Sequence, residues 1–477
     1  MSELPRPKIY PALWEAVLFP ALAGGMGWGI RGQFGHETGA MIAGVLVGLT
    51  LLLLFGRGAT ISAGTRAAAL GAVALGIGGS MTYGQTIGLT QDRALVGNWE
   101  AWRWGMLGLG IKGAIWSGFA GLFLGLGFGH SRLSWRGMLA LMAALWALYL
   151  GGVWLLNSPH YPEGRQLPLI YFSASWKWFP GAGAELKPRP EVWGGLLVAL
   201  LGAWAWAGWW RRDLLVRRLT AWGLLGGLGF PLGQCLQSYH AWNPNAWAAN
   251  PLAALAPKMN WWNWMETIFG LAIGACLGLG LWRNRDLIAL RETEPPSSRP
   301  LLPESVAWTL LGVHGALLLL AEFSPFRWAR MIYDPGLAIA LIPLVAMAGH
   351  DRWPRWVLLP VTLLPIAGKM IRRLVYETPA LHPAAGWILY GILPLAVAVT
   401  VVIKLERRPP ADAAGWARIA LPAAAWTYFA LNFAFFDFPW PWEPWTVRTP
   451  NAVAFTTCVV GLTFAALRRN RGDRATD

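Results

Sequence analysis

"GGMGWGIRGQFGHETGAMIAGVLVGLTLLLLFG", residues 24–56, holds two opposed kinds of sequence side by side. From Gly39 to Gly56 no residue is charged. At about 1.5 Å per residue such a run reaches across most of a hydrocarbon core of about 30 Å. Just before it, Arg31, Gln33, His36 and Glu37 crowd into seven positions. Polar groups at that density are costly in lipid unless protein or a wet cavity surrounds them. The stretch therefore reads as a membrane helix preceded by a polar knot with a purpose.

Outward from it, similar apolar runs recur along all 477 residues, near 9–30, 37–56, 65–88, 103–129, 137–156, 191–210, 217–237, 265–283, 303–323, 333–349, 355–370, 384–403, 416–436 and 449–468. The chain is 55% hydrophobic and only 13% charged, with a mean hydropathy of +0.42. Few soluble proteins have this balance. The expected fold is all-α, a polytopic transmembrane helical bundle of about fourteen spans.

A net charge of +15 invites a nucleic-acid reading, but its placement argues for orientation in a bilayer. Arg57 and Arg66, Arg132 and Arg136, Arg211 and Arg212, Arg283 and Arg285, Arg352 and Arg355, Arg407 and Arg408, and Arg468 and Arg469 fall in every second connection. This is the positive-inside pattern of a cytoplasmic (inner) membrane protein, and it predicts that both termini are cytoplasmic and that nucleic acid is not a partner. Arg372 and Arg373, in a connection expected to face outward, break the pattern. "PALAGG" near the first span has small residues at Ala21 and Ala23 as a signal-peptidase site would, but Glu15 interrupts the apolar region, so a retained span is expected.

Three parts are expected: residues 1–283, rich in Gly and Trp, with about eight spans; a charged, Pro- and Ser-rich cytoplasmic linker, 284–302; and 303–477, with about six spans. Most intramembrane polar groups lie in the first part. His314 and Glu322 are the main ones in the second.

The opening stretch has echoes. "GGMGWGIRGQ" at 24–33 is followed by "GGSMTYGQ" at 78–85 and "GGLGFPLGQ" at 226–234, each at the outer end of an odd-numbered span. A glutamate follows each time: Glu37, Glu100 in "NWEAWRWGMLGLGIKG", and Glu266 in "NWWNWMETIFGLAIGACLGLG". Asn98 and Asn260 share a place ahead of the last two. The first part therefore reads as parallel repeated helical hairpins. Paired glycines allow close helix approach or local unwinding, and a glutamine tip both donates and accepts. The plainer reading is that the glycines pack and the glutamates merely open helices, where the helix dipole favours them.

The expected polar site gathers Arg31, Gln33, His36, Glu37, Gln85, Asp92, Glu100, Gln234 and Glu266, with Trp28, Trp102 and Trp264 as aromatic walls for a polar, sugar-like ring. His36, Glu37, Lys112 and His314 are candidate coupling groups, because an ionisable residue inside a membrane needs a partner or a task. Cys235, Cys276 and Cys458 are scattered, and neither a metal site nor a cofactor is expected. The expected function is a transporter or flippase-like protein moving a small polar solute or lipid-linked substrate, with membrane lipid as its other partner. A membrane-embedded transferase with His36 as base and Arg31 as phosphate clamp, and a non-catalytic scaffold, are the alternatives.

Overall fold

The structure, a computed structural model, describes residues 10–174, 177–178, 188–247, 253–290, 301–324, 327–333, 335–379, 381–436 and 445–468. Most of the linker expected at 284–302 lies outside them. Among the described residues the chain is helical, and its one β-bridge joins Tyr161 to Gln166.

The first part begins with α1 (Leu13–Arg31) and α2 (Glu37–Phe55), joined by a turn in which Gly35 takes a positive φ of 84° that a bulkier residue would resist. α3 (Ile61–Ile77) ends in a short 3-10 turn, Gly78–Ser80, and the chain resumes as α4 (Gly84–Gln91). Then come α5 (Trp99–Phe128), α6 (Trp135–Leu156) and α7 (Trp193–Ala205). α8 (Leu214–Gly226) breaks at Gly227–Leu228 into α9 (Gly229–Trp242), and α10 (Trp261–Arg283) completes the set.

In this part α1 packs along α2, α2 along α3, α3 along α5, α5 along α8, α8 and α9 along α10, and α10 back along α1. These helices close a ring, and α6 with α7 flanks it from outside. The second part adds α11 (Glu304–Phe323), α12 (Arg327–Tyr333), α13 (Gly336–Gly349), α14 (Trp353–Trp356), α15 (Thr362–Ile371), α16 (Pro383–Trp387), α17 (Leu393–Arg407), α18 (Ala413–Phe436) and α19 (Thr449–Leu467). α13 lies along α3, α18 along α2 and α19 along α1. Arg468 pairs with Glu15 at 2.5 Å, tying the last helix to the first.

Nine helices among the described residues are long and apolar enough to cross a membrane. Of the other expected spans, 416–436 falls on the 24-residue α18, and the rest fall on helical segments that are shorter or interrupted, such as Leu214–Trp242 with its break and Trp353–Glu377 with π-turns at Val357–Val361 and Arg372–Glu377. The run that decided the fold class is itself almost wholly sheathed in protein: 94% of the α2 window is buried, against 22% for α6 and for α11. α2 is thus a central helix, whereas α6 and α11 present their sides outward.

Close packing of this kind rests on small residues, since lipid offers no hydrophobic drive between helices. A Cβ on Gly24 would stand 2.1 Å from the Gly270 carbonyl oxygen, so α1 and α10 cross backbone to backbone there. Hence Gly24 and Gly25 do not loosen α1. The helix runs unbroken through them to Arg31 because α10 needs their lack of side chains. Unwinding does occur after α3, where Met81 is extended, whereas Gly227 and Leu228 between α8 and α9 keep right-handed helical angles and only tighten the turn.

Candidate functional site

The end of α1 brings Arg31 to the centre of the ring. Its side chain is 0% exposed and meets Glu266 of α10 at 3.2 Å. Arg31 also donates to the Tyr83 hydroxyl at 2.5 Å, and Tyr83 donates to Glu266 Oε1 at 2.7 Å. Trp262 Nε1 donates to the same oxygen at 3.3 Å. One carboxylate thus gathers an arginine, a tyrosine and a tryptophan, which is how a buried charge is made tolerable.

The guanidinium lies 4.5 Å from the Trp28 ring and 5.3 Å from the Trp116 ring. Beneath it, Trp28 packs on Phe269, whose ring stacks on Phe230 at 4.5 Å. Those rings form an apolar floor. Desolvated cation–π contacts of this sort contribute up to about 2 kcal/mol. Asn263, one turn ahead of Glu266, donates to the Gly29 carbonyl and fixes α1 against α10.

Above Arg31 the chain turns outward. Nη1 of Arg31 reaches His36 Nδ1 at 3.4 Å, and the imidazole sits edge-on to Tyr83. His36 keeps an exposed edge. Desolvation by surrounding atoms first, then the positive charges of Arg31, Lys369 and Arg189, hold its pKa below the ordinary histidine value. Neutral imidazole is therefore its resting form at neutral pH.

Beside this turn is a cavity of about 370 Å³ lined by Gly32, Gln33, Gly35, Lys369, Arg372, Arg373 and Glu377. Gly32 and Arg373 are exposed, so the cavity opens to the surface there. It is built from both parts of the chain: the α1–α2 turn on one side, and α15 with the π-turn Arg372–Glu377 on the other. A Cβ on Gly32 would lie only 3.0 Å from Glu266 Oε2, so the buried cluster sits directly under the wall. Behind the opposite wall Glu322, 7% exposed, pairs with Lys369 at 3.1 Å and with Arg372 at 3.2 Å.

The expected site residues do not all converge. Gln33 lines the cavity. Gln85 accepts from the Tyr171 hydroxyl and the Arg189 amide, and Gln234 donates to Thr90 Oγ1 at 2.7 Å, so neither of them joins that lining. The reason is local: each amide finds a polar partner on a neighbouring segment before it reaches Gln33. Glu37 opens α2, where Gly79 lets its backbone pack closely: a Cβ there would stand 2.5 Å from Glu37 N.

Glu100 is exposed and 3.4 Å from Lys177. Asp92 follows α4 at the surface. Trp102 donates to Ser238 Oγ at 3.1 Å, Trp264 is half-buried away from the lining, and His314 hydrogen-bonds Tyr333 within the second part. The shared Asn98 and Asn260 prove to be N-caps, accepting from Ala101 N and Asn263 N. Counted from those caps, Glu100 stands in the first turn and Glu266 more than a turn further in, so the two glutamates are not equivalent.

Lys112 has a different role from any of the signature glutamates' partners. Its ammonium binds Glu191 at 2.6 Å, Thr86 Oγ1 at 2.8 Å and the Thr82 carbonyl at 2.6 Å. Thr82 lies where the helix breaks between α3 and α4, so Lys112 satisfies an oxygen that the unwound backbone releases. Glu191 in turn accepts from Phe172 N and Ser173 Oγ, which anchors the loop around residues 171–174.

Sequence reasoning missed Tyr83 and Trp116 at the cluster, and Lys369, Arg372, Arg373 and Glu377 at the cavity. Tyr83 was within reach, since it sits inside "GGSMTYGQ". Arg372 and Arg373 had also left a mark, as the exception to the alternating charge pattern. Among the described residues no three His, Cys, Asp or Glu side chains gather as metal ligands.

No family model, curated protein or solved structure matches this chain. The fold defines the class: an all-helical protein whose long apolar helices are those of a membrane protein. Within that class its particular mark is a polar cavity, between the α1–α2 turn and α15, set against a buried arginine–tyrosine–glutamate cluster.

Proposed function

We propose that this chain is a transporter or flippase-like protein of the cytoplasmic membrane, with about fourteen spans and both termini cytoplasmic, that moves a polar organic solute, free or lipid-linked. The observation that carries this reading is the cavity of about 370 Å³ between the α1–α2 turn and α15, which opens at one end of the bundle beside a buried ion-pair cluster. Its volume falls in the range of small-molecule sites. Interrupted helices on several sides, at Gly78–Ser80, Gly227–Leu228 and Arg372–Glu377, support a bundle that rearranges, because breaks and π-turns at membrane depth go with ligand paths. On this reading the floor of Trp28, Phe230 and Phe269 is the closed inner gate, and the helical hairpins of the first part are parallel repeats.

A one-sided opening beside His36 favours, as a second reading, a membrane-embedded transferase acting on a lipid-linked or acyl donor. The cavity counts against a scaffold, which needs none.

Thiol labelling separates these readings. In a background with Cys235, Cys276 and Cys458 replaced, a Gln33→Cys protein in oriented vesicles should react with a membrane-impermeant maleimide from the outside and, in a minority of molecules, from the inside. Labelling from the outside alone, under every condition, would remove the transport reading and leave the transferase.

A further inference from the structure

We propose that this cavity is an anion site, in which Lys369, Arg372 and Arg373 hold a phosphate or carboxylate group of the solute. The proposal rests on the reading of the cavity as the solute site, and it concerns residues that no signature in the first part contains.

The charge balance is the first argument. Lys369, Arg372 and Arg373 line the cavity, with Glu377 as the lining carboxylate. Arg372 bridges Glu322 and Glu377, and Arg373 reaches Glu377 at 3.3 Å. Glu322 is buried at 7% exposure, whereas Glu377 is 43% exposed on a π-turn. An incoming anion can therefore replace Glu377 on the two guanidinium groups while Glu322 keeps its place. Paired arginine forks match the geometry of phosphate and carboxylate oxygens, and a second oxygen pair can face Lys369.

The surroundings supply the second argument. After desolvation, the charges of Arg31, Lys369 and Arg189 all oppose protonation of His36, so cations border the mouth on several sides. The third is topological. Basic residues on the outward side run against the positive-inside bias, and Arg372 and Arg373 are where this chain departs from it. Two arginines kept there, folded over a cavity, are what an anion site requires and what orientation in the bilayer does not.

The test uses the full chain in neutral phosphatidylcholine nanodiscs, with inorganic pyrophosphate and farnesyl phosphate as probes and farnesol as the uncharged control. Either phosphate should raise the unfolding temperature, and farnesol should not. Stabilisation by pyrophosphate marks a free anion as sufficient, whereas stabilisation by farnesyl phosphate alone marks a lipid-linked one. Arg373→Gln should weaken the apparent affinity by about tenfold, the loss expected for a charge-assisted hydrogen bond, and added salt should weaken it further.

Lys369→Gln leaves Glu322 short of a partner and can unfold the protein, so Glu377→Gln is the second variant. By removing the competing carboxylate it should tighten binding. No stabilisation by either phosphate overturns the proposal, and so does stabilisation that farnesol matches or that Arg373→Gln and Glu377→Gln both leave unchanged. Anion binding with labelling of Gln33→Cys from one side only sinks transport and keeps the site. Labelling from both sides without anion binding sinks the site and keeps transport.

Discussion

Arg31 and Glu266, 235 positions apart in sequence, meet 3.2 Å apart with side chains 0% and 2% exposed. Their union closes the ring of the first part at the level of the cavity wall. Neither charge is affordable alone, since an uncompensated charge in a dry interior costs several kcal/mol.

Breaking that union is therefore the sharpest stability test. Arg31→Met should lower stability in detergent by about 3–5 kcal/mol by stranding Glu266, and pairing it with Glu266→Leu should restore most of the loss. A double variant no more stable than Arg31→Met would show that the pair is not the source of the effect.

Helix crossing at Gly24 gives a second test. Gly24→Ala drives a methyl against the Gly270 carbonyl and should cost about 1–3 kcal/mol through forced displacement of α1 from α10. Gly84→Ala is the matched control, since its nearest neighbour, a Trp262 ring carbon, is 4.0 Å away. Melting curves that do not separate the two variants would count against backbone contact at that crossing.

Acid should act through His36. Its pKa is held below the ordinary histidine value of 6.5, at about 4, so the folded chain binds fewer protons than the unfolded chain between those values. Stability contributed by the neutral imidazole is complete above about pH 6.5 and is lost as pH falls towards 4. The difference in unfolding temperature between wild type and His36→Gln should therefore narrow or reverse in favour of the variant across that window. A constant difference from pH 7 to pH 4 would rule out this origin.

Lys112 and Glu191 make a fourth prediction. Lys112→Met leaves Glu191 unpaired by charge and the Thr82 carbonyl unmet, and should both destabilise the chain and speed amide exchange over residues 171–174. Glu191→Gln keeps an acceptor for Lys112 and should be milder. Exchange in that loop unchanged by Lys112→Met would detach the loop from the pair.

Membrane class was legible in the sequence because it depends on composition and run length, which need no tertiary knowledge. The importance of residues 24–38 was legible too, since Arg31 and His36 are costly wherever they sit. What could not be read was partner choice. Arg31 finds Glu266 235 positions away, and Gly32 shares a cavity lining with Arg373 still further along the chain, and no local period encodes such meetings. The glutamines misled for a related reason: equal spacing from a glycine pair fixes a position along a helix but not the direction of a side chain. Gln234 turns to Thr90 while Gln33 turns to the cavity. The repeated Asn–Trp pairs carried a true signal of a humbler kind, two helix starts.

The π-turn at Arg372–Glu377 has a consequence for the protein's history. A π-turn is an α-helix holding one surplus residue, and each α-helical residue advances the face by about 100°. A lineage that lost a single residue there would keep a helix of ordinary pitch, yet swing Glu377 and all that follows away from Arg372 and Arg373. Gaps of one residue at this spot should thus mark descendants whose cavity has lost the pairing of Glu377 with its two arginines.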